Sequence, residues 1–83
     1  MISLYNRLRQ EVVQLICDLK HMEPAALTSK PDLLQLGFNL ADVVDVMQAV
    51  EKKYDIVIAG DLPVYTVDDF VRIVQQFSRR FAL

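Results

Sequence analysis

The stretch LGFNLADVVDVMQAVEKKYDIVI, residues 36–58, decides the fold. Asn39 stands where a helix begins, because its short side chain accepts from the backbone N–H groups that a first turn leaves open. Asp42, three residues on, supplies the return half of a capping-box-like pair, and its charge suits the positive end of the helix dipole. Val43, Val46, Met47, Val50 and Tyr54 then recur at helical spacing. They predict a helix over 39–54 with that stripe inward and Asp42, Asp45 and Lys53 outward. Gly37 frees the backbone for a tight turn just before it. After Asp55, Ile56-Val57-Ile58 has strand propensity, but no second segment offers itself as a partner strand. It reads as an extended loop that plugs Ile56 and Ile58 into a core.

Outward from this stretch the chain is helical on both sides. Towards the N-terminus, Leu4, Tyr5, Leu8, Val12, Leu15, Ile16 and Leu19 mark one face of a helix over 3–21, with Ser3 as its cap and Pro24 soon after its end. Residues 23–38 read as a long connection carrying Pro24 and Pro31, whose leucines (Leu33, Leu34, Leu36) fold down over one end of the core. Towards the C-terminus, Gly60 and Pro63 punctuate a loop with room for one short helical turn. Thr66 and Asp69 repeat the capping pattern, and Val67, Phe70, Val71, Val74 and Phe77 line a last helix over 67–80. The expected fold is all-α: a three- to four-helix bundle with an unusually long first crossover.

Eighty-three residues make one domain, 1–83. So short a chain hides only roughly 60–65% of its unfolded surface, and the 53% hydrophobic content is what lets it fold at all. Net charge is −2, unevenly spread. Residues 32–69 hold eight acids against Lys52 and Lys53, whereas 70–83 hold only the basic Arg72, Arg79 and Arg80. An acidic middle argues against nucleic acid as the main partner, since phosphate binding needs clustered cations. It favours basic protein partners instead. No apolar run approaches bilayer length, and the opening residues hold no apolar stretch of signal-peptide length, so no membrane contact and a cytoplasmic location are expected. The single cysteine, Cys17, excludes an internal disulfide and a multi-cysteine metal site.

Residues 33–77 resemble the acyl carrier proteins. In that family a Leu-Gly pair leads through Asp-Ser-Leu into an acidic, valine-rich second helix, followed by Glu, an aromatic, Asp and an Ile-containing loop. Leu36-Gly37, the helix from Asn39 and Glu51 to Ile58 follow that order, and Thr66-Val67-Asp68-Asp69-Phe70-Val71 is similar to the start of the family's last helix. The loop near residue 60 is shorter here. The resemblance implies an acyl-carrier-like bundle and partners among the acyl-transfer or condensing enzymes of fatty-acid or polyketide synthesis. It also implies a serine bearing phosphopantetheine, and here the chain departs from the family. The family's aspartate falls at Asn39 and its serine at Leu40, which has no nucleophile. Ser29 and Ser78 lack the family context, so no cofactor is expected. The acidic run of the docking helix is also altered, with Lys52 and Lys53 in acidic positions and Gln48 in an apolar one.

The candidate partner-binding residues are therefore Asn39, Leu40, Ala41, Val44, Asp45, Gln48, Glu51 and Lys52. Leu40 has two readings: tucked against Phe38 and the loop leucines, or exposed with Val44 as a docking patch. Cys17 and His21, four apart on the polar side of the first helix, are better read as incidental than as a nucleophilic pair, because no orienting group or oxyanion site accompanies them. Asp68 and Asp69 suit a helix start, and Arg79 and Arg80 suit a helix end. The chain is expected to be non-enzymatic, to bind no metal, and to act through protein contacts as a monomer or weak homodimer. The alternative is a self-associating or regulatory helical module unrelated to acyl metabolism.

Overall fold

The computed structural model describes residues 3–29, 32–59 and 64–77. They form four α-helices: α1 (Leu4–Lys20), α2 (Pro24–Ser29), α3 (Leu40–Tyr54) and α4 (Val67–Phe77), with a 3₁₀ turn at Leu34–Leu36. The fold is an all-α helical bundle. One isolated antiparallel bridge, Asp32 with Thr66, is its only β-type pairing among the described residues. No helix among those residues is long and apolar enough to cross a membrane.

Each helix starts where its sequence provides an acceptor or a pre-set backbone. The Asn6 amide donates to Ser3 Oγ at 3.1 Å to open α1. Pro24 opens α2, where a missing N–H costs nothing and the fixed φ is already helical. The connection expected over 23–38 thus contains a helix, and Ser29 is its last residue rather than part of a loop. α1 stops before this proline, at His21, which adopts a left-handed φ of 55° while the Met22 amide donates to the Cys17 carbonyl at 3.1 Å. Gly37, at φ 90°, takes the left-handed turn leading into α3, which an L side chain would strain.

The core runs through all four helices and the segments between them. Leu8, Val12 and Ile16 of α1 are fully buried, as are Leu27, Leu33, Val46, Val50, Val67, Phe70, Val71 and Val74. α1 packs on α4, α3 and α2. Three neighbours widen its buried arc, so Val13 and Cys17 turn inward while Leu4 and Leu19 are exposed. Cys17 is only 4% exposed, which corrects its expected place on the polar side. Phe77 is likewise exposed rather than inward. Ile56 and Ile58 are buried and Val57 points out, as a plugging loop requires. Of the crossover leucines, Leu33 is buried, Leu36 half-buried and Leu34 exposed. The expected turn near Gly60 and Pro63, and residues 78–80 of the last helix with Arg79, lie outside the described residues.

The long crossover is held to the entrance of α4. The Leu33 amide donates to the Tyr65 carbonyl at 2.9 Å, and the Leu34 amide to Asp32 Oδ1 at 2.9 Å in an Asx turn. This anchor fixes where the chain re-enters at Phe38, and hence which face α3 presents.

Candidate functional site

α3 begins with both halves of a capping box. The Asp42 amide donates to Asn39 Oδ1 at 2.8 Å, and the Asn39 amide donates to Asp42 Oδ2 at 3.0 Å. The first helical residue after this cap is Leu40, 70% exposed, with Val44 one turn later 46% exposed. Leu40 is therefore not tucked against Phe38 and the crossover leucines. Asn39, Ala41, Asp45, Gln48 and Lys52 are also exposed. Along α3, Leu40, Ala41, Val44, Asp45, Gln48, Glu51 and Lys52 fall within an arc of about 140°, so all eight expected residues, counting Asn39 at the cap, share one end or face.

Glu51 falls between Leu40 and Val44 around the helix but sits deeper than the exposed residues beside it. It is half-buried, and its Oε2 accepts from the Ile58 amide at 2.7 Å. It holds the plugging loop in place, helped by the Ile56 amide on the Glu51 carbonyl at 3.1 Å. One carboxylate oxygen is thus committed to the fold, so Glu51 anchors the loop from within the α3 face.

Lys20 joins the site from another helix, unannounced by any pattern in α3. From the last turn of α1 its Nζ reaches Asp42 Oδ1 at 2.9 Å and Asp45 Oδ2 at 3.0 Å. The hydrogen bonds to Asp42 and Asp45 hold the Lys20 ammonium above its ordinary pKa. Asp42 is held below the usual carboxylate range by the same Lys20 bond and by the Asn39 amide. One cation thus answers the two acids at the start of α3. With Lys52 further along, the face is mixed, apolar at Leu40 and Val44 and nearly neutral in charge rather than acidic. Only long-range complementarity between helix ends would have exposed this pairing, and periodicity within α3 carries no such signal.

The remaining chemistry-bearing side chains serve the fold. Burial pushes the Cys17 thiol pKa up, and Asp18 and Glu23 add to it, so the thiolate that a nucleophile needs is disfavoured. Tyr54 is buried, which raises its phenol pKa, and its hydroxyl donates to Glu11 Oε1 at 3.0 Å. Asp68 ties α4 to α1, accepting from the Tyr5 hydroxyl at 2.8 Å and from Arg9 Nε at 3.1 Å. A groove of about 460 Å³ is lined by Arg9, Gln10, Val13, Gln14 and Pro24, with Arg9 already engaged by Asp68. Among the described residues no three His, Cys, Asp or Glu side chains gather as metal ligands.

A phosphopantetheine arm does not fit at the start of α3. Its phosphodiester needs a hydroxyl oxygen, and Leu40 offers carbon alone. The cap itself holds a carboxamide and a carboxylate, both already hydrogen-bonded to backbone. The chain matches no known family model, no curated protein and no solved structure.

Proposed function

We propose that this chain is an acyl-carrier-protein-like interaction module, associated with acyl-transfer machinery of the fatty-acid or polyketide type and unable to carry the arm at the usual site. The resemblance over residues 33–77 supplies the family and the pathway, as an analogy at fold level. One observation carries the reading most: Leu40, at the family's serine position, is 70% exposed on a fully formed helix cap. An apolar side chain held out to solvent there suits contact with a partner better than it suits the core, where it adds nothing. Lys20 and Lys52 reduce the acidity of the face, so the partner surface is apolar and mixed in charge rather than strongly basic.

The test is binding of a ketosynthase of the fatty-acid or polyketide type, followed by the shift of backbone amide signals on titration. Signals of residues 39–48 should move, and Leu40→Asp should weaken binding at least tenfold. Equal binding by Leu40→Asp, or shifts confined to α1 and α4, would overturn the reading.

A further inference from the structure

We infer that the exposed face of α3 is self-complementary, and that its occupant in concentrated protein is the same face of a second copy, packed antiparallel about a two-fold axis between Gln48 and Ala49. A two-fold interface requires that when residue i meets residue j, j also meets i. Asp45 and Lys52 satisfy this from one helix. They stand about two turns apart on nearly the same line, both exposed. Lys52 makes no ion pair among the described residues, and Asp45 engages only Oδ2, with Lys20. An antiparallel pairing centred between them sets each Asp45 against the other copy's Lys52, twice over. A parallel pairing would instead face Asp45 with Asp45 and Lys52 with Lys52, which repels.

The axis chosen from charge also relates two exposed apolar residues in sequence, one at each end of α3. Leu40 and Val57, 70% and 86% exposed, are equally far along the chain from the point between Gln48 and Ala49. The same register brings Leu40 of one copy to the end of α3 that leads into Val57 of the other. The centre is Gln48 beside the half-buried Ala49, both uncharged, which lets helix axes approach to about 8–10 Å. Two fifteen-residue helices bury less than the roughly 1,200 Å² of a standard interface, so the dissociation constant should be on the order of 100 µM. The inference shares its face with the docking proposal but needs no acyl-transfer enzyme. Self-association of the isolated protein therefore tests it separately, and either idea can fail alone.

Sedimentation equilibrium from about 10 µM to about 1 mM should show the native mass rising towards that of a dimer. Asp45→Lys and Lys52→Asp, each alone, should lower the association constant at least tenfold. An equimolar mixture of the two should recover it to within about threefold, because in the mixed pair both contacts again join opposite charges. Circular dichroism establishes that each variant is folded. If Asp45→Lys disturbs the fold by crowding Lys20, Val57→Asp provides the same loss of association from outside the helix. A native protein that stays monomeric at 1 mM, a mixture no tighter than its components, or Val57→Asp associating as the native chain does would each overturn the inference.

Discussion

α3 and α4 start with the same device and put it to opposite uses. Asn39 with Asp42 caps α3, and Thr66 with Asp69 caps α4, where the Asp69 amide donates to Thr66 Oγ1 and the Thr66 amide to Asp69 Oδ2, both at 3.0 Å. The next residue differs in fate. Val67 is fully buried, whereas Leu40 is 70% exposed. The supporting charges differ as well. Asp69 takes the Tyr65 amide and its own helix's Arg72, at 3.0 and 2.8 Å, while Asp42 draws Lys20 from another helix. A capping box thus says where a helix begins and nothing about whether that end closes the core or faces outward. At α4 the Leu33–Tyr65 bond and the Asp32–Thr66 bridge bring a covering segment over the end. No such segment crosses the start of α3 among the described residues.

The contrast breaks most visibly under a buried charge. Val67→Asp should abolish folding or cost at least about 3 kcal/mol, because the carboxylate has no partner in the core. Leu40→Asp should change stability by no more than about 0.5 kcal/mol, since it is exposed and an acid suits the first turn. Urea denaturation of the two variants measures the difference, and similar losses would erase the distinction between the two ends.

Removing the carboxylate from each cap gives the next largest effect. Asp69→Ala should cost about 1–3 kcal/mol, because it strands the part-buried Thr66 amide along with that of Tyr65. Asp42→Ala, where water reaches the exposed amide of Asn39, should cost less. Thermal melts would rank them, and the reverse order would count against the account.

Acid should sharpen the same comparison. Burial raises the Asp69 pKa, but the Tyr65 and Thr66 amides and Arg72 outweigh it and leave it below the usual range. Asp42 is depressed by Lys20 and the Asn39 amide. Carboxylates held low in the folded state add stability above the unfolded value of about 3.9 and lose it as pH falls through the folded one. The urea midpoint should therefore hold from about pH 7 to 5 and fall below about pH 4. Asp69→Asn should flatten that fall more than Asp42→Asn, whose carboxylate is more exposed to solvent screening.

The smallest effect lies at two helix ends. His21 and Asp55 both sit at φ 55°, and glycine meets no Cβ strain there. His21→Gly and Asp55→Gly should each raise stability by no more than about 1 kcal/mol, with the cost of glycine in the unfolded chain offsetting part of the gain. A loss on either substitution would show that the side chain contributes more than its backbone strain costs.

Those same particulars mark what the sequence could say. α3 and α4 were legible because their caps and stripes are local, and the structure has both within a residue of the expected starts. α2 was not legible: six residues are too few to display a helical period, and its proline reads as a stop for α1 before it reads as a start. Cys17 was misplaced for the same reason, because α2 is one of the three neighbours that widen the buried arc of α1. At the candidate site, the outward positions along α3 were expected from the helical period together with the resemblance, while Leu40 had two readings that only its burial decides. The Glu51 contact with Ile58 and the Lys20 clip were not expected, since each joins groups that only the fold brings together.

We propose that α3 has the helix start of a carrier protein with Leu40 in place of the reactive serine. Incubation with coenzyme A and a broad-specificity phosphopantetheinyl transferase, followed by intact mass, tests it most directly. The native chain should gain nothing, and Leu40→Ser, which leaves Asn39 and Asp42 in place, should gain the mass of one phosphopantetheine. A gain by the native chain, or a folded Leu40→Ser variant that stays unmodified, would contradict the account.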